Sequence, residues 1–228
     1  MSEWKDDQQL FAIIRAELYT AVVGDVMDSL GFLNQFLSPR IQPLKEEMFV
    51  TGRAMPVLEA DMNHEFSAHN ARLNRPFGLM LEALDDLQCG EVYVCTGASP
   101  NYALWGELMS SRAIKLGAAG AVVNGYSRDT RGVLKLNFPT FSYGRYAQDQ
   151  APRGKVIDFR IPIKMDNVTI NPGDIIIGDI DGVCVVPKQV EDEVIMKALE
   201  KARGEKMVQA KILEGMPAKE AFETYGIM

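Results

Sequence analysis

Between Glu91 and Val123 the chain carries one rhythm: a short apolar run, a loop, a helix-length segment and a second short apolar run. Val92-Tyr93-Val94-Cys95 reads as a buried strand and Thr96 to Pro100 as a loop. Ala103 to Leu116 predicts a helix with Gly117 as its stop signal, and Ala121-Val122-Val123 a second buried strand. Two such strands joined through a helix fit a right-handed crossover onto a parallel pair. The fold class is therefore α/β. The rule also places the loops after both strands at one edge of the sheet, where ligands of open α/β sheets bind.

The flanking sequence is built around this unit. Leu10 to Leu30 has apolar residues at helical spacing and predicts two short helices, with Asp25 and Asp28 as cap or turn residues. Phe49 to Val57 reads as a strand ending at a proline, and residues 60–88 as helical. After Gly144 the character becomes β: Val156 to Ile163, Val168 to Ile170, Ile175 to Ile177 and Val183 to Val186. Lys188 to Leu213 predicts one long amphipathic helix, and Gly215 and Pro217 separate it from a last short one. The 228 residues fit a single domain, 1–228, with a core at about 20–187 and a C-terminal helical segment at about 188–228.

Charge narrows the partners. With 24 basic and 31 acidic residues the net charge is −7, which argues against direct nucleic-acid binding and against a polybasic membrane contact. No apolar run reaches the length of a membrane span, and the start MSEWKDDQQL lacks the basic-then-apolar order of a signal peptide, so a cytoplasmic protein is expected. Cys89, Cys95 and Cys184 are too few and too widely spaced for a disulfide framework or a zinc knuckle, and read as small apolar residues. His64, Glu65 and His69 resemble a zincin helix only superficially. Histidines at i and i+5 stand about 140° apart around a helix, whereas that site needs i and i+4.

The chemistry gathers in the two loops. One opens the helix carrying Gly106-Glu107-Leu108-Met109, and unpaired N–H groups at a helix start cradle a carboxylate or phosphate. The other carries Gly125-Tyr126-Ser127-Arg128-Asp129. Arg128 is a forked cation able to hold a carboxylate or an enolate oxygen. Asp129 is a hard oxygen ligand of the kind Mg2+ or Mn2+ prefers. Alone, Arg-Asp is an ordinary surface dipeptide; its place after a buried strand and a glycine turn is what makes it a candidate site.

The run GELMSSRAIKLGAAGAVVNGYSRDTRGVLKLNFPTFSYG resembles the RraA-like family, which includes divalent-metal 4-hydroxy-4-methyl-2-oxoglutarate aldolases that double as oxaloacetate decarboxylases. The likeness extends from Thr20-Ala21-Val22-Val23-Gly24-Asp25 to PGDIIIGDIDGVCVVP and the closing helix. It implies a swivelling β/β/α-type single domain with N-terminal helices and a long C-terminal helix, assembled as a homotrimer or homohexamer. It further implies Asp129 as the metal residue for Mg2+ or Mn2+, and Arg128 on the oxygens of a small 2-oxo acid substrate. The N–H groups of Leu108 and Met109, at the helix opened by Gly106, fall to the substrate carboxylate, and Glu107 to an acidic role beside the metal.

One departure matters. Family aldolases carry Asp or Glu three residues after the Asp of the Arg-Asp pair, and here that residue is Gly132. Decarboxylation needs no base, whereas retro-aldol cleavage needs one for the 4-hydroxyl proton. The sequence therefore predicts detectable decarboxylation of oxaloacetate and slow cleavage of 4-hydroxy-4-methyl-2-oxoglutarate. The resemblance also implies an acidic residue from a neighbouring subunit's closing helix, with Glu200 and Glu205 as alternatives. Two other functions compete with a metal-dependent lyase: a non-catalytic regulator binding an RNA-degrading enzyme, and an aldolase for a sugar-acid or aromatic-catabolic substrate. A methyltransferase is disfavoured, because the glycines form no nucleotide-binding fingerprint after the first strand.

Overall fold

Asp6 caps the first helix, α1 (Asp7–Glu17), by accepting the backbone N–H of Gln9 at 2.9 Å, and α2 (Thr20–Ser29) follows after two residues. The computed structural model describes residues 3–62 and 71–227. A first strand, β1 (Gln42–Pro43), leads to the long β2 (Val50–Asp61). Helix α3 (Met80–Asp85), β3 (Glu91–Thr96), β4 (Ala103–Trp105), α4 (Glu107–Leu116) and β5 (Gly120–Val123) come next. They are followed by β6 (Tyr126–Ser127), α5 (Thr130–Leu136) and β7 (Thr140–Ser142). The β-rich part comprises β8 (Gly154–Phe159), β9 (Ile163–Met165), β10 (Val168–Ile170), β11 (Ile175–Asp179) and β12 (Gly182–Val186). Helices α6 (Glu191–Leu213) and α7 (Ala218–Tyr225) close the described chain.

The main sheet has the order β1-β7-β5-β3-β2-β11-β12, with β8 on the far half of β2. The expected crossover is there: β2, β3, β5 and β7 pair in parallel, and β11, β12 and β8 add antiparallel strands. The fold is thus mixed α/β. Period-2 alternation splits the core over the two faces of this sheet. Val92, Val94 and Val122 face the β9–β10 hairpin residues Ile163, Met165, Val168 and Ile170. Tyr93, Cys95, Ala121 and Val123 face Trp105, Ala113 and Phe138 on the opposite side. A further apolar cluster seats α1, α2 and α6 on Ile175, Ile177, Cys184 and Val186. Arg53 of β2, largely buried, pairs with Asp7 of α1 and Glu191 of α6 and ties both helices to the sheet.

Three expectations need correction. The predicted helix at Ala103 begins only at Glu107, because Ala103 to Trp105 pair as a strand with β6 and are fully packed. Local helical spacing did not register that tertiary pairing. The strand read as Phe49 to Val57 continues to Asp61: its partner on that edge changes from β11, at residues 50–53, to β8, at residues 57–61. Pro56 sits at the handover, where no ladder donor is required. Within 60–88, β2 occupies residues 60–61, and among the described residues only Met80–Asp85 is α-helical, preceded by turns at 71–77. His64 and His69 lie outside the described residues. Gly117 does end α4, with φ +78 in the left-handed region that favours glycine.

Candidate active site

Packing fixes the start of α4. Trp105 is buried between Tyr93 and Phe138, with ring centroids 5.0 and 5.9 Å away, and its indole N–H donates to the Ser110 hydroxyl at 2.8 Å. Ser110 in turn donates its O–H to the carbonyl of Gly106 at 3.0 Å, and its backbone N–H donates to the same carbonyl. This lashes the first turn of α4 to β4. Gly106 is the N-cap and has no side chain to cap with, so the N–H groups of Glu107, Leu108 and Met109 lack intrahelical acceptors and face outward from the helix start.

Arg128 and Asp129 are held against that turn. The backbone N–H of Arg128 donates to the Trp105 carbonyl at 2.8 Å, which joins the loop after β5 to the one after β3. Asp129 is the N-cap of α5, yet its side chain caps nothing there. Its backbone is left-handed, φ +54 and ψ +31, a conformation that Asp tolerates better than most residues. Its carboxylate turns towards α4 instead and accepts the N–H of Glu107 at 3.4 Å. A Cβ placed on Gly106 would lie 2.8 Å from Asp129 Oδ2, so only glycine leaves the carboxylate this position. The Arg128 guanidinium reaches Asp129 Oδ2 at 3.8 Å and Asp149 Oδ1 at 3.1 Å.

The Glu107 side chain answers the question raised by Gly132. A Cβ built on Gly132 would fall 2.1 Å from the Glu107 carboxyl carbon. The space that a side chain at 132 would enter is filled by the carboxyl group of Glu107. Gly106, Leu108, Met109, Arg128, Asp129 and Asp149 border one cavity of about 420 Å³, and neither Glu107 nor Gly132 is in its wall. The structure thus brings Gly106, Leu108, Met109, Arg128 and Asp129 to one cavity and leaves the Glu107 side chain beside Gly132, outside that wall.

Three contributors were missed. Asp149 and Gln150 enter from the loop after β7, a third parallel strand whose carboxyl end faces the same crevice; extending the edge rule to Phe138-Pro139-Thr140-Phe141 reaches them. The α3 helix supplies Met80, Leu81 and Leu84, hidden in sequence by the long helical reading. Behind Gln150 lies Glu59, 2% exposed, which accepts the Gln150 carboxamide N–H. Burial pushes the Glu59 carboxyl up to about 8, against a smaller lowering from the Cys95 thiol that hydrogen-bonds to it. No sequence signal distinguishes Glu59 from any other strand residue.

Glu205 is engaged within its own chain, by the Tyr19 hydroxyl and by Lys201 Nζ at 3.5 Å, and Glu200 is exposed on α6. Asp25 pairs with Lys201, and Asp28 is exposed on α2. Among the described residues no group of three or more His, Cys, Asp or Glu forms a ready metal cage. The donors suit a hard cation held by one or two carboxylates, with the remaining positions left to water and substrate oxygens. No helix among the described residues is long and apolar enough to cross a membrane.

The family model described as RraA-like, Aldolase/RraA, matches residues 20–185, which contain β2 to β11, all but the last residue of β12 and the whole α4–α5 site. The chain belongs to the RraA-like family. A Halalkalibacterium halodurans protein named "Putative 4-hydroxy-4-methyl-2-oxoglutarate aldolase" is 32% identical over 204 residues, 89% of each chain. Protein DlpA of Legionella pneumophila is 28% identical over 208 residues, and there the match covers 90% of this chain but only 32% of the longer relative. An uncharacterised protein of Pseudomonas syringae pv. tomato has the same fold, with a TM-score of 0.80 and 27% identity over 96% of this chain and 98% of that one.

Proposed function

We propose that this RraA-like protein is a divalent-metal-dependent carbon–carbon lyase that cleaves or decarboxylates small 2-oxo acids through a pyruvate enolate. The observation that carries the proposal is the uncapped start of α4 facing Arg128 and Asp129 across one cavity. Asp129 would hold Mg2+ or Mn2+, with the remaining ligand positions left to water and substrate oxygens. The bound ion supplies Lewis-acid polarisation of the substrate's carboxylate and keto oxygens.

The chain's own residues do the rest. The N–H groups of Leu108 and Met109 bind the substrate carboxylate, helped by the positive end of the helix dipole. Arg128 holds the oxygen on which negative charge develops, and Asp149 positions its guanidinium. Decarboxylation of a 3-carboxy-2-oxo acid then needs only the loss of CO2 and protonation of the enolate carbon. Retro-aldol cleavage also needs an acceptor for the 4-hydroxyl proton, and Glu107, whose carboxyl group packs beside Gly132, would serve by turning from there into the cavity. The slow cleavage expected from Gly132 alone presupposes an empty position there.

Steady-state pyruvate release from oxaloacetate and from 4-hydroxy-4-methyl-2-oxoglutarate tests the reading. Both should require Mg2+ or Mn2+, and Glu107→Gln should depress cleavage far more than decarboxylation. Equal losses in the two reactions would remove Glu107 from the proton-accepting role. The protein is further proposed to work as a homotrimer or homohexamer. Leu108, Leu213 and Phe222 are large apolar side chains that this chain alone leaves exposed, as expected of surface shared between subunits.

A further inference from the structure

Beyond the pyruvyl-binding end, the cavity changes character. Arg128, Asp129, Asp149 and Gln150 line one wall. An apolar part of the lining is formed by Phe77, Met80, Leu81, Leu84, Leu104 and Leu108, with Leu81 and Leu108 at the solvent-open rim. One cation, Arg112, borders that side, and its Nε donates to Asp85 Oδ1 at 2.7 Å. A cavity of about 420 Å³ has room well beyond a three-carbon pyruvyl unit, so a substituent at C4 of a 2-oxo acid must meet this wall.

From this geometry we infer that the preferred substrates carry an apolar substituent at C4, aryl or branched alkyl, in place of a second carboxylate. The inference rests on the proposed 2-oxo acid chemistry and names the substrate class of that same site. A second carboxylate would be desolvated against the buried Met80, Leu84 and Leu104, or would have to displace Asp85 from Arg112. An apolar group removes its own surface and that of the wall from water together. The released fragment would then be an apolar aldehyde or ketone.

Binding of unreactive analogues isolates the tail from the chemistry, because a 2-oxo acid without a 4-hydroxyl or a 3-carboxylate is not cleaved. Pyruvate, 2-oxoglutarate and 2-oxo-4-phenylbutanoate would be titrated calorimetrically into the protein with Mg2+ present throughout. We expect 2-oxo-4-phenylbutanoate to bind about tenfold or more tighter than 2-oxoglutarate. In Leu81→Arg, a change at a half-exposed position of α3, the order should reverse. Pyruvate reports on the underlying reading: if no 2-oxo acid binds, the lyase assignment fails and the inference falls with it. If pyruvate binds and 2-oxoglutarate is the tighter of the two longer ligands, the inference alone is overturned. Loss of that 2-oxoglutarate preference in Arg112→Ala would then identify the cation recruited from Asp85.

Discussion

Gly106→Ala is the most informative single change, because it moves one carboxylate and leaves the backbone alone. Gly106 has φ −158 and ψ −174, extended backbone that any residue adopts, so alanine is tolerated locally. The new methyl would lie 2.8 Å from Asp129 Oδ2, against 3.4 Å at the tight limit of ordinary contact, so the carboxylate must retreat by about 0.6 Å. Metal–ligand distances hold to within about 0.2 Å, so a shift three times that size dislodges a ligand. Displacing a supporting group at a metal site typically weakens affinity about 10- to 100-fold, and a direct ligand should lie at the upper end. Mn2+ titration followed by electron paramagnetic resonance reads this without turnover. Thermal unfolding of the metal-free protein should stay level or rise slightly, since the alanine restricts the unfolded chain. Wild-type Mn2+ affinity in Gly106→Ala would refute the assignment of Asp129.

Other expectations follow from the same contacts. Arg128→Lys keeps the charge but loses the fork, and should cost about 10²- to 10³-fold in kcat for decarboxylation; near-wild-type turnover would mean that charge alone suffices. Asp149→Asn should lower kcat/KM while leaving the melting temperature almost unchanged, since a half-exposed pair contributes about 1 kcal/mol or less to stability. The Glu59 carboxyl, raised by burial to about 8, binds its proton more tightly folded than unfolded. Its contribution is therefore fully present below about pH 4.5 and is lost as pH rises to about 8, a span of several kcal/mol at most. Glu59→Gln should flatten the fall in stability between pH 6 and 8, and an unchanged slope in denaturant titrations would assign that fall to other groups. Sedimentation at micromolar concentration should show a trimer or hexamer, and a clean monomer would remove the proposed assembly.

What the sequence reveals here follows the range of the forces involved. The β3–α4–β5 crossover is legible because apolar runs, a helix length and Gly117 all lie within one stretch of chain, and the Gly106 and Arg128 loops inherit their common edge from it. The true start of α4 is not legible, because Ala103 to Trp105 become a strand only by pairing with β6 across more than 20 residues. Pro56 misleads for a related reason: a proline ends a strand only where the ladder wants its N–H, and the change of partner from β11 to β8 removes that demand. Gly132 reads as a missing carboxylate, and only side-chain packing shows Glu107 filling the space. Asp149 and Glu59 reach the site through tertiary contacts that no periodicity encodes.

The central claim is that the pocket formed by α4 and the Arg128–Asp129 loop generates a pyruvate enolate with help from a divalent metal. Exchange of the methyl protons of pyruvate in D2O, followed by proton nuclear magnetic resonance, measures that step without any assumption about the natural substrate. The account predicts protein-dependent loss of the methyl signal with Mg2+ or Mn2+, abolished by excess chelator and strongly reduced in Arg128→Ala. Exchange no faster than in buffer, or exchange that persists undiminished in chelator, would contradict it.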